Sequence, residues 1–268
     1  MRSIPTRLRA AMLILPVALA ISAGCDIAMA GFAEKETAEW RKTYELSPGG
    51  RVEVGNVNGR IKVVTGEGTR VEIVALKTAR AANVDAAKQT LGRIEIRDSS
   101  SSDSVRVDTH FDRASSSFFN NSNWQVEYTV RVPASANVKL STVNGGVEVT
   151  GVSGRVIAEA TNGGIIARGI TGMIEASTTN GGVDVELARV DQGGAKLECT
   201  NGGITLGLPP DSGATLSARV TNGGIDTGGL AIMARGESSR RRLDGDFNGG
   251  GPRISMECTN GGIELRKR

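Results

Sequence analysis

The chain has 268 residues, with 36 glycines, seven prolines, 39% hydrophobic and only 3% aromatic residues. This excludes a disordered or collagen-like chain and leaves length for one or two domains with a full core. The formal net charge is +3; without Arg2, Arg7 and Arg9 it falls from +3 to 0, so charge gives no case for a nucleic-acid partner.

The first element is a leader over residues 1–30. "MRSIPTRLRA" carries the three arginines, and "AMLILPVALAISA" follows as an apolar run too short to span a bilayer. Two cleavage patterns compete. "ISAGC" places Gly24 before Cys25, the arrangement of a bacterial lipoprotein signal, with Cys25 as the lipid attachment site; Ser22 stands where Leu is usual. "AMA" at Ala28–Ala30 suits ordinary signal peptidase. Lipoprotein cleavage before Cys25 is preferred, with cleavage after Ala30 the alternative. The expected location is the cell envelope: membrane-anchored if Cys25 is acylated, otherwise periplasmic or secreted.

Residues 34–132 read as a β-rich N-terminal region. Residues 51–64, 70–80, 104–111 and 124–133 alternate as strands do, and "VDAAKQTLGRI" (84–94) is the one short helix. Between the last two strands, "DRASSSFFNNSN" (112–123) reads as a polar loop, with Phe118 and Phe119 as a candidate contact for a partner or membrane surface.

From residue 133 to 268 the pattern is a repeat. "NGG" begins at Asn144, Asn162, Asn180, Asn201, Asn222 and Asn260, at spacings of 18, 18, 21, 21 and 38 residues. A recurring unit of this size signals a repeat architecture. In each unit the positions two and four before the Asn, and three and five after it, are mostly apolar, so each supplies two short strands with one inward face. The segment at Asn58, with Ile61 and Val63, fits the same template as an early coil. "FNGGG" at Asn248 marks an irregular coil within the long last gap. The fold class expected is all-β: a β-solenoid (parallel β-helix-like) repeat region, with an antiparallel meander as the alternative. In a solenoid the corners stack about 4.8 Å apart, and the six Asn form a structural ladder while turning the chain.

The chemistry-bearing residues are sparse. Cys199 and Cys258 share the inward phase, and with the Asn222 coil between them they stand about 9–10 Å apart, too far for a disulfide. They read as free core residues. Four residues after each Asn lies an outward position, Glu148, Ile166, Asp184, Thr205, Asp226 and Glu264, where acids alternate with neutral residues as on a solvated face. His110 is the only histidine and no triad motif attaches to it. Glu159, Glu175 and Glu198 are outward but single, so no carboxylate pair for sugar chemistry stands out. Arg240–Arg242 sit in an excursion suited to solvent or to an anionic envelope partner. Catalytic residues, cofactor sites and metal sites are therefore expected to be none.

The series "NVNGRIKV", "EYTVRVP", "LSTVNGGVEVTGVSGRV" and repeated "TNGGI" resembles the bacterial putative-adhesin family with DUF4097-type β-strand repeats, over roughly residues 40–268. The resemblance implies a cell-envelope β-solenoid and supplies no catalytic residues. The expected function is that of a non-enzymatic envelope protein presenting a rigid surface to an unknown envelope polymer or protein. The alternatives are a polysaccharide-acting solenoid enzyme and an envelope-stress accessory protein.

Overall fold

The computed structural model describes residues 34–112 and 123–268. The leader, Cys25 and the Phe118–Phe119 pair lie outside these residues. The chain runs β1 (Glu34–Glu45), β2 (Arg51–Asn58), β3 (Ile61–Gly66), β4 (Arg70–Ala81), α1 (Val84–Gly92), β5 (Ile94–Ser100), β6 (Ser104–Phe111) and β7 (Asn123–Pro133). The repeats then give β8 (Asn137–Asn144) with β9 (Val147–Thr150), β10 (Val156–Asn162) with β11 (Ile165–Ile170), β12 (Ile174–Asn180) with β13 (Val183–Leu187), and β14 (Ala195–Asn201) with β15 (Ile204–Leu208). The chain ends with β16 (Ala214–Asn222), β17 (Ile225–Asp226), β18 (Ile232–Ala234), β19 (Arg242–Phe247), β20 (Arg253–Asn260) and β21 (Ile263–Lys267).

These strands form two large sheets, one ordered β1-β4-β7-β3-β9-β11-β13-β15-β21-β17 and the other β18-β19-β16-β20-β14-β12-β10-β8-β2-β6-β5. From β8 to β15 every pairing of successive coils is parallel, with a single register shift at Arg168–Ile170 between β11 and β13, so the fold is a two-sheet solenoid and the meander is excluded. The Asn58 segment is a coil of the same stack: β2 pairs with β8, Asn58 opposite Asn144, and β3 pairs with β9. Residues 34–132 and 133–268 thus share both sheets and one core, lined by Val52, Ile61, Leu140, Ile165, Leu197, Ile204 and Leu265 among others. Each such aliphatic side chain contributes about 1.5–3 kcal/mol by leaving water.

The ends of the stack are antiparallel. β1 pairs with β4 and β4 with β7 in one sheet, and β5 pairs with β6 in the other. At the far end β19 runs antiparallel to β16, and β18 to β19. The charged side chains of the outermost β1 (EKETAEWRKTYE) and the two-residue β17 leave little edge for another sheet to extend. The helix starts where Asn83 accepts a hydrogen bond from the Ala86 amide at 2.8 Å.

The order of the last coils departs from chain order. β20 pairs with β14 on one side and with β16 on the other, and β21 lies between β15 and β17. The coil ending at Asn260 is therefore inserted beneath the coil ending at Asn222. This accounts for the 38-residue gap: after β16 and β17 the chain must make a capping excursion and return to fill the place left open. Asn248 is no coil corner. It is the only described non-glycine residue with positive φ (47°), and its amide donates to the Pro210 and Ser212 carbonyls in a surface turn.

Candidate functional site

The corner is the unit from which the surfaces are built. Each ladder Asn is the last residue of its strand and lies outside the left-handed region, so the turn is made by the glycine after it rather than by the Asn. At Gly202, φ is +150°, and a Cβ would stand 2.0 Å from the Gly181 carbonyl oxygen of the neighbouring coil. Only a residue without a side chain lets the coils approach this closely. Amides of the corner also bond from coil to coil, Gly181 to the Asn201 carbonyl at 2.9 Å and Gly202 to that of Asn260 at 3.0 Å.

Seven Asn side chains bond in one row, in the order 58, 144, 162, 180, 201, 260, 222. Asn144 donates to Asn58, Asn162 to Asn144, Asn180 to Asn162, Asn201 to Asn180, Asn260 to Asn201 and Asn222 to Asn260, all at 2.7–2.9 Å. The row is solvent-exposed from Asn144 onward. A second row, inside the corner, was not anticipated. Two residues before the ladder Asn, Thr142 and Thr178 donate to the carbonyls of Gly59 (3.3 Å) and Gly163 (2.8 Å), and Cys199 and Cys258 to those of Gly181 (3.1 Å) and Gly202 (3.7 Å). At the first coil Asn56, buried, donates instead to the carbonyls of Gly59 (3.0 Å) and Val126 (2.8 Å).

The inserted coil also corrects the reading of the cysteines. Cys199 and Cys258 are direct register partners on β14 and β20, with no coil between them. Both are free and buried. Burial, with the neighbouring thiol adding to it, pushes the Cys199 thiol up to about 11, and burial raises that of Cys258 as well.

On the outer face of the sheet containing β8–β14 the single glutamates converge. Glu159, Glu175 and Glu198 line one concavity of 470 Å³, together with Ser141, Thr161, Ser177 and Lys196. In register, Ser177 separates Glu159 from Glu198, which places those two backbones about 9.6 Å apart. Glu175 pairs with Arg155 at 2.6 Å and Glu198 with Lys196 at 2.7 Å, whereas Glu159 is exposed and has no hydrogen bond or ion pair among the described residues. Through Ile157 this hollow adjoins a second, also 470 Å³, lined by Arg51, Glu53, Lys139 and Arg155. One face thus carries a polar groove, rich in acids at one end and in bases at the other.

The opposite face differs. Lys62 meets Glu148 at 3.1 Å, and Arg168 pairs with Asp184. Arg266 reaches Asp184 and Glu186, both at 3.1 Å, across β15, where Gly207 has no side chain to obstruct it. The expected alternation of acids fails at the end of this row, because insertion of β21 sets Glu264 beside Asp226. His110 is exposed, opposite Glu95. Arg242 is paired with Asp244 at 2.9 Å, and the Arg240 and Arg241 carbonyls accept from Ile225 and Val220, so the excursion is bonded to the end of the stack. Among the described residues no three or more His, Cys, Asp or Glu side chains are gathered as metal ligands, and no helix is long and apolar enough to cross a membrane.

A capped two-sheet solenoid is the class these features define. No family model matches the chain, and no curated protein does. Among solved structures it is similar to a putative cell adhesion protein from Clostridium sporogenes, with 13% identity, TM-score 0.43, and coverage of 87% of this chain and 100% of that one. It is also similar to a putative adhesin from Bacteroides fragilis, at 10% identity and TM-score 0.32, covering 86% and 97%. A third is a putative lipid binding protein from Parabacteroides distasonis, at 13% identity and TM-score 0.26, covering 88% and 98%.

Proposed function

We propose that this chain is a non-enzymatic, adhesin-like protein of the cell envelope that presents a rigid solenoid face to an extended polymer. The observation that carries the proposal is the polar groove crossing β8, β10, β12 and β14. Its walls are side chains of strands hydrogen-bonded on both sides, so an occupant meets a surface that need not be ordered on binding. Export rests on the arginine-led apolar leader, and membrane anchoring on acylation of Cys25. The test is binding of the full chain to cell-wall polymers and outer-membrane lipids, with Glu159→Gln as the probe variant. Binding to a polymer weakened about threefold or more by the substitution is the expected result; no binding to either class ends the proposal.

The convergence of Glu159, Glu175 and Glu198 favours a second reading, a polysaccharide-cleaving enzyme. Against it, two of the three carboxylates are already occupied, Glu175 by Arg155 and Glu198 by Lys196, which leaves Glu159 without a second free carboxylate beside it. Release of reducing ends from a sugar polymer, abolished by Glu159→Gln, would establish the enzyme instead.

A further inference from the structure

Cys199 and Cys258 lie 59 residues apart in sequence, yet the inserted coil makes them neighbours on adjacent parallel strands, in register and pointing the same way. Register partners on such strands have Cα atoms about 4.8 Å apart, inside the 4.4–6.8 Å range that a disulfide spans. The two residues are 4% and 3% exposed and are shielded inside adjacent corners of the stack. The hydrogen bond that holds Cys258 to the Gly202 carbonyl is long, at 3.7 Å, so little opposes turning its sulfur toward Cys199.

We infer that Cys199 and Cys258 form a reversible disulfide that staples the inserted coil β20–β21 to the body of the solenoid. The oxidant is a disulfide, either of a protein thiol oxidoreductase or of a small molecule such as oxidised glutathione, the class an exported chain meets. One cysteine thiolate attacks the donor S–S bond, which breaks and releases one donor thiolate, leaving a mixed disulfide. The second cysteine thiolate attacks that bond, forms the Cys199 Sγ–Cys258 Sγ bond and releases the other donor thiolate. Two protons leave the cysteines and two are taken up by the donor thiolates; the cysteine pair loses two electrons and the donor gains two. Burial keeps the thiols protonated at neutral pH, so exchange proceeds through opening of the β20–β21 coil or before it seats.

The test uses the full chain with Cys25→Ser, so that two thiols remain, refolded from denaturant in a glutathione redox buffer. The expected outcome is a fall in free thiols from two to none, one cross-linked peptide joining Cys199 to Cys258, no attached glutathione and a higher thermal midpoint, all reversed by dithiothreitol. Two persisting thiols, glutathione adducts at both sites, or links between chains overturn the inference. Cys258→Thr in the same background keeps a donor for the Gly202 carbonyl, as Thr178 does for Gly163. It is expected to fold and to lose the oxidation-dependent rise in midpoint; a rise that survives this substitution also overturns the staple.

Discussion

An asparagine amide both donates and accepts, so identical copies placed one coil apart satisfy each other without any other partner. That property selects Asn at the solenoid corner, whereas the sharp bend is the work of the glycine that follows. Asn180 donates to Asn162 and accepts from Asn201, both in contact with solvent. Water replaces what is lost on truncation, so the penalty is that of exposed hydrogen bonds and not of buried orphans. Asn180→Ala is expected to cost about 1 kcal/mol, readable as a lowered urea midpoint with unchanged slope. The ladder residues were legible in the sequence because their period is visible. The inner row was not, since Thr, Cys and Asn at the second place before the ladder look like ordinary core variation until each donor is seen against a glycine carbonyl.

At the scale of elements, alternation disclosed the coil strands and α1 was read as the one short helix, but β1, β5, β18 and β19 escaped. β1 is too charged to present an apolar face, because as an outer strand it buries little beyond Tyr44. The neighbour order of the last coils was also illegible. Units ending at Asn222 and Asn260 carry the same inward pattern, and a pattern fixes the face of a strand without naming its partner. The convergence of Glu159, Glu175 and Glu198 escaped for the same reason: each was readable as outward, while their meeting depends on register. Insertion makes a strong demand on β20 and β21. A chain lacking residues 253–268 would leave β16 without its parallel neighbour and β14 with an open edge. Such a truncation is expected to lose protection of β16 and β19 in amide hydrogen exchange while β8–β13 keep theirs, as nearest-neighbour stability in a repeat fold requires.

For the molecule as a whole, alkaline pH is the exposed flank. Burial pushes Tyr128 up to about 12 and Cys199 up to about 11, and it raises Tyr44 as well, helped by a hydrogen bond to Asp98. Each group holds its proton more tightly folded than unfolded. Their contribution is therefore fully present below the unfolded values, about 8.5 for Cys and 10 for Tyr, and is lost as pH rises through the folded ones. Under reducing conditions the thermal midpoint is expected to stay level through neutral pH and to decline steadily from about pH 9 to 12; a level profile to pH 11 would contradict these burials.

The displaced final coil also bears on how the protein comes into being. A stack that grew in the direction of synthesis would add each turn onto the one just finished. Here the turn through Asn222 is made before the one it must rest upon, so its resting place exists only after residues 253–268 have been synthesised. Those residues are the keystone of that end, and assembly there waits for them.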